Sequence, residues 1–228
     1  MSLKDDLSSE VAAIFDDAWA TRAGTVVPES SDVKLGKDAV KLTATVLYAD
    51  LSGSTRLVDG HRDWFAAEVY KAYLRCAAKI LVSDGGVITA YDGDRIMAVF
   101  IGETKSTAAV RSALKINWTR ENIVNTKIVS KYPTLTYRVE HTVGVDTSPL
   151  FIARTGIRGS NDLVWVGRAA NYAAKLSARP SVFPTRITKD VYDELDNSMK
   201  ISDKKNIWTT TDGLNNVTTY GTTYWYPL

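Results

Sequence analysis

The chain has 228 residues, 45% of them hydrophobic, so it can bury a core and fits one domain or one domain with appendages. Its 28 basic and 26 acidic side chains leave a formal charge of +2, which gives no electrostatic ground for binding nucleic acid or a membrane surface. A single cysteine, Cys76, excludes an internal disulfide, and two histidines, His61 and His141, give little support to a His-rich metal site or a Ser-His-Asp triad.

Residues 3–20 place Leu3, Leu7, Val11, Ile14, Phe15 and Trp19 near one face of a helix. The opening MSLKDDLSSE is too acidic for a signal peptide, and no apolar run reaches about 18 residues, so a cytoplasmic protein is expected. Gly24, Pro28 and Ser30-Ser31-Asp32 mark a loop. Residues 40–49 read as a strand, and residues 62–82 as a helix that ends at Gly85-Gly86. Two strands, 87–91 and 95–101, flank Asp92-Gly93-Asp94, a hairpin by its Asp-Gly signal. A long helix is expected over about 105–128, before Pro133. A second hairpin is expected from strands 135–145 and 150–154. A short strand 162–166, a helix 169–177, a strand 185–188 and a helix 190–196 follow. The Thr-, Tyr- and Trp-rich tail, 198–228, reads as added strands. The expected fold is α/β of the α+β kind, a mostly antiparallel sheet with helices packed on it, an N-terminal helix and a C-terminal strand extension. The corresponding boundaries are 1–39, 40–196 and 197–228.

Two acids at strand mouths carry the functional signal. Asp50 ends VLYAD, and Asp94 precedes the apolar strand IMAVF. A carboxylate there is costly unless it is paired or holds a metal, and two of them suit hard cations such as Mg²⁺ or Mn²⁺. Tyr48 shares the strand face of Asp50. The turn Ser52-Gly53-Ser54-Thr55 runs straight into a helical stretch near Arg56, where free backbone N–H groups can receive a phosphate. The plain alternative makes Asp50 a strand-end acid and Ser54 an N-cap. No GxxxxGK[ST] sequence is present, so this is not a P-loop. His141 alternates with apolar residues and reads as a hydrogen-bonded sheet residue.

Three segments together carry a family resemblance: DLSGST (50–55), GD-x3-AVF starting at Gly93, and VWVGRAANYAAKL (164–176). In this order and spacing they resemble the class III nucleotide cyclase domain over about residues 40–195. The resemblance implies that Asp50 and Asp94 ligate two divalent cations, with the backbone carbonyl of Leu51 completing one site. It implies that Asn171 orients a ribose. Where the family carries a transition-state Arg, this chain has Lys175, a point charge without the bidentate fork. Arg95 or Arg168 could add the missing charge, and Lys204 or Lys205 could reach a triphosphate. The resemblance also implies a homodimer, with the acids from one copy and the Asn/Lys pair from the other.

Purine-selective members read the base through positions that are Ala90 and Val164 here, and neither can hydrogen-bond through its side chain. Tyr48 is placed to fill space or hydrogen-bond near a smaller base. With Lys175 and Arg95, these departures resemble the Pycsar antiphage pyrimidine cyclases. They imply conversion of UTP, or CTP, to cyclic UMP or cyclic CMP, a messenger read by a separate effector. UTP is preferred on subfamily frequency. A purine cyclase making cyclic AMP and an inactive nucleotide-sensing cyclase fold are the alternatives.

Overall fold

The structure is a computed structural model and describes residues 2–16 and 18–228. Its elements, in order, are helix α1 (Leu3–Asp16), strands β1 (Ala20–Ala23) and β2 (Asp38–Ser52), and helices α2 (Ser54–Gly60) and α3 (Asp63–Ser83). Strands β3 (Val87–Asp92) and β4 (Arg95–Phe100) lead to helices α4 (Lys105–Thr119) and α5 (Thr126–Lys131). Then come β5 (Glu140–Ile157), β6 (Ser160–Val166), α6 (Arg168–Ser177), β7 (Thr185–Thr188) and α7 (Lys189–Glu194). Strands β8 (Ile201–Ser202), β9 (Lys205–Asn206), β10 (Thr209–Leu214) and β11 (Val217–Thr222) close the chain.

Contacts divide the chain into two units. The larger comprises residues 44–148 and 168–228. Its strands run in the order β10-β11-β7-β5-β2-β4-β3. The β10–β11, β11–β7, β2–β4 and β3–β4 pairs are antiparallel, and β5–β7 is parallel. Its core lies on one sheet face, where Leu47, Ala49 and Leu51 of β2 meet Ile96, Ala98 and Phe100 of β4. Onto them pack Phe65, Val69, Tyr73, Ala77 and Ile80, the apolar stripe of α3. From α4 the chain passes through a π-type turn at Arg120–Asn125 into α5, so the expected helix over 105–128 is helical throughout but wider in the middle.

The opposite sheet face receives α6. Gly144 of β5 makes this possible, because a Cβ there would lie 2.2 Å from the Ala173 carbonyl oxygen and 2.6 Å from the Ser177 amide nitrogen. Ala173 and Leu176 are fully buried beneath the helix. The Ser148 hydroxyl accepts a 2.9 Å hydrogen bond from the Ala169 amide and anchors the first turn.

The smaller unit comprises residues 1–43 and 149–167. Here β1 pairs in parallel with Asp38–Lys41, and β5 and β6 form a hairpin from Phe151↔Val166 to Ile157↔Ser160. Val33, Ala39, Val40 and Ile152 are buried, and the Trp19 and Phe151 rings meet edge to face at 4.9 Å.

Several sequence expectations change. The first helix stops at Asp16, not at residue 20. Trp19 lies beyond it, β1 begins at Ala20, and Asp17 falls outside the described residues. The hairpin expected from strands 135–145 and 150–154 is one 18-residue strand, β5, and the true turn lies at Arg158-Gly159, where Gly159 has φ +86°. The polar stretch Asp146-Thr147-Ser148 resembled a loop, yet its groups are satisfied inside the strand. Asp146 accepts hydrogen bonds from Thr188 and Arg168, and Thr147 meets Thr45. His141 is also only half satisfied: Nδ1 lies 3.0 Å from the Tyr73 hydroxyl, while buried Nε2 has no partner.

Candidate active site

Asp50 sits near the C-terminal end of β2, directly opposite Arg95 of β4, and Tyr48 lies opposite Met97. Leu47, Ala49 and Leu51 belong to the core beneath α3, so strand alternation turns Tyr48 and Asp50 to the other face. The Leu51 side chain is buried, which leaves its backbone carbonyl as the group it could offer a ligand. Asp94 follows the hairpin turn at Gly93, whose φ of +61° suits glycine.

The two acids influence each other. Burial first, and then the neighbouring Asp94 charge, together raise the Asp50 carboxyl to about 6, against partial relief from Arg95. Asp94 Oδ2 is buried and has no hydrogen-bond partner. An orphaned carboxylate oxygen beside a second, half-buried carboxylate is costly without a cation, and oxygen donors of this kind suit Mg²⁺ or Mn²⁺. No group of three or more His, Cys, Asp or Glu side chains gathers among the described residues, so a cation here would need further oxygens from backbone, water or substrate.

Arg95 bonds Asp92 in an ion pair across the turn, and its guanidinium lies 6.0 Å from the Tyr48 ring centroid. Part of its charge is therefore spent on Asp92. Arg168, the other cation considered from the sequence, is committed to Asp146, Asp190 and the Thr147 carbonyl. It holds β5, α6 and α7 together.

The turn after Asp50 has the expected left-handed glycine, Gly53 at φ +73°, which is also the N-cap of α2. Ser54 is the first residue of the helix, not its cap, and no side chain caps it. Ser52 and Ser54 are partly buried, and Thr55 is exposed. The sequence reading missed Arg56 as a ligand candidate. A Cβ at Gly53 would lie 2.9 Å from Arg56 Nη2, so this guanidinium stands against the turn that precedes it. Its place one residue after SGST was the only available signal.

Asn171 and Lys175 share the outward face of α6, four residues apart and both exposed. Lys175 Nζ lies 5.9 Å from the Tyr172 ring, and no carboxylate pairs with it among the described residues. Asn171 likewise has no hydrogen-bond partner there. Because α6 packs over Gly144, opposite the α3 core, this pair lies on the sheet face that carries Asp50 and Tyr48.

Ala90 lies on β3 opposite Met97, beside a bulge between Ile88 and Ala90. Val164 belongs to the smaller unit, where it pairs with Ala153 on β6, is 38% exposed, and borders a pocket of about 340 Å³ with Ile14, Trp19 and Leu35.

No family model matches the chain. Individual relatives do. A protein of Xanthomonas perforans named uridylate cyclase is 50% identical over 96% of each chain. The chain belongs to this family of nucleotide cyclases. A second member, from Burkholderia cepacia and also named uridylate cyclase, is 48% identical over 91% of each chain. Among solved structures, the adenylyl cyclase CyaB of P. aeruginosa superposes with a TM-score of 0.67 at 20% identity, covering 81% of this chain and 95% of that one. The likeness identifies the fold as that of class III cyclases, a mostly antiparallel sheet flanked by helices. No helix among the described residues is long and apolar enough to cross a membrane.

Proposed function

We propose that this cyclase converts UTP to 3′,5′-cyclic UMP and pyrophosphate at a site built around Asp50 and Asp94. The observation that carries the reading is the buried, unpartnered Oδ2 of Asp94 beside the Asp50 carboxyl, whose pKa burial raises first and the Asp94 charge second. Two such groups persist at a strand mouth only if something bound there offsets them. The names of the relatives favour the uridine substrate over the cytidine one.

The 3′-oxygen attacks the α-phosphorus, the bond to the bridging oxygen breaks, and pyrophosphate leaves; the hydroxyl proton is lost to solvent. When bound, two Mg²⁺ or Mn²⁺ ions would acidify that hydroxyl and offset triphosphate charge. Asp50, Asp94 and the Leu51 carbonyl supply oxygens to hold them. The Ser52–Thr55 turn offers backbone N–H groups to phosphate oxygens, and Arg56 and Arg95 stand close enough to add positive charge. Asn171 orients the ribose. Lys175 faces the charge that develops on the α-phosphate, which makes catalysis mainly a matter of positioning and electrostatics.

Asn171 and Lys175 are exposed, and among the described residues Asn171 has no hydrogen-bond partner and Lys175 no carboxylate partner. A second copy therefore completes each site, giving a homodimer with two composite centres. Tyr48 narrows the base pocket toward a pyrimidine, and neither Ala90 nor Val164 offers a side-chain hydrogen bond to a purine edge. The product acts as a cytoplasmic messenger for antiphage defence, read by a separately encoded effector. The test is incubation with Mn²⁺ and UTP, CTP, ATP or GTP in separate reactions, with products identified by mass. Cyclic UMP as main product supports the reading, cyclic AMP would transfer it to a purine cyclase, and no product from a folded dimer would favour a sensor.

A further inference from the structure

Helix α1 is formed but buries none of its residues. Leu3, Leu7, Val11, Ile14 and Phe15 are all between 49% and 80% exposed, and the helical period gathers them into one stripe. A lone 14-residue helix is marginal in water even with an alanine-rich sequence. This one needs a surface. It is also acidic, with Asp5, Asp6, Glu10 and Asp16 against one lysine, Lys4. Asp6 and Glu10, four residues apart, border one edge of the stripe.

The larger unit carries a groove of the opposite character. It lies between α3 and the π-turn–α5 segment, with a volume of about 300 Å³. Val69, Ala72 and Cys76 line one wall, and Ile123 and Ile128 the other. Arg75, Lys127 and Lys131 rim it, with Glu68 as the one acid. Glu68 is already paired with Lys131 at 2.9 Å. Arg75 and Lys127 are exposed and have no carboxylate partner among the described residues. An apolar floor between two helices with a basic rim fits an acidic amphipathic helix.

We infer that α1 of one copy docks in the α3–α5 groove of a second copy, its apolar stripe on the groove floor and Asp6 and Glu10 toward Arg75 and Lys127. The groove is on the helical face of the sheet, away from the face that carries Asp50. The exchange is therefore a second contact between copies, additional to the one the composite site requires. It rests on the two-copy reading only in that a second copy must be present.

The chain has one cysteine, and it lines the groove, which supplies the test. Val11→Cys, oxidised with copper-phenanthroline at alkaline pH, is expected to give a reducible covalent dimer through Cys76. Val11→Cys with Cys76→Ala should give none, and Ser9→Cys, on the back of α1, should give at least about tenfold less. All three substitutions are tolerable, since α1 is exposed and Cys76 only partly buried. A dimer that survives Cys76→Ala would mean that α1 pairs with α1 and would overturn the inference. So would a disulfide confined within one chain, an equal yield from Ser9→Cys, or no link from folded Val11→Cys. Light scattering on the unmodified protein reports separately whether two copies associate at all, so loss of the composite-site reading and loss of this one are told apart.

Discussion

Asp50 and Arg95 face each other across the β2–β4 ladder, the acid half-buried and the arginine bent back to Asp92. This arrangement keeps a full neutralising partner away from Asp50. It leaves the Asp50–Asp94 pair electrostatically strained in the absence of bound ions, as expected of a site prepared for something positive.

From that strain follows an opposition of activity and stability. Asp50→Asn and Asp94→Asn should each lower cyclase activity by at least about a hundredfold, since in the proposed two-metal mechanism each removes an anionic ligand. Asp50→Asn also removes a buried like charge, so in metal-free buffer its Tm should equal or exceed that of the parent protein. Thermal unfolding monitored beside product formation checks both. A large fall in Tm for Asp50→Asn would show that the acid is structural.

The two halves of the site should complement each other. Asp50→Asn and Asn171→Ala are each expected to be inactive alone. Mixed in equal amounts and allowed to exchange, they should recover about a quarter of the parent activity, because half the dimers then carry one intact centre. No recovery, with exchange of copies demonstrated by labelled subunits, would place the whole centre within one chain.

Gly144 should tolerate no side chain. In Gly144→Ala the new methyl would meet the backbone of α6, at Ala173 and Ser177, so the helix must shift. A loss of about 1–3 kcal/mol is expected, with a further loss of activity because α6 carries Asn171 and Lys175. Denaturant unfolding together with kcat checks it. Lys175→Arg should keep most of the activity and Lys175→Ala should lose most of it, which isolates the charge on that face.

His141 should set part of the acid limit of stability. Burial pushes its imidazole down to about 3, with Arg120 adding a smaller push in the same direction. The folded state therefore keeps His141 neutral, while the unfolded chain takes up a proton below about 6.5. The stabilising difference is fully present above that pH. It is lost as pH falls toward the folded value, by about 1.4 kcal/mol per unit at most. His141→Gln should flatten the acid limb of the stability curve between about pH 6 and 4, at some cost at neutral pH from the lost Tyr73 contact. An unchanged acid limb in urea titrations would assign it to other groups.

Much of this was legible in the chain. The Asp-Gly turn before Asp94, the alternation that separates Tyr48 and Asp50 from Leu47 and Ala49, and the i, i+4 pair on α6 are all local patterns, and the structure keeps them. What escaped depended on partners distant in sequence. Asp146-Thr147-Ser148 looked like a loop because nothing nearby shows that Arg168 and Thr188 satisfy the acid inside β5. The same contact commits Arg168, a candidate cation by sequence, to Asp146 and Asp190. Strand β1, Ala-Thr-Arg-Ala, is exposed along its length and has no periodicity to announce it. Arg56 was passed over because its position against Gly53 comes from how α2 starts, which spacing does not reveal.

The most direct test offers the purified protein all four ribonucleoside triphosphates at equal concentration in one reaction with Mn²⁺, and counts the cyclic products by mass. The account predicts cyclic UMP in at least about tenfold excess over each of the others, a preference of roughly 1.4 kcal/mol or more at the transition state. It also predicts no product from Asp94→Asn in the same mixture. Cyclic AMP or cyclic GMP as the dominant product, or undiminished turnover by Asp94→Asn, would contradict it.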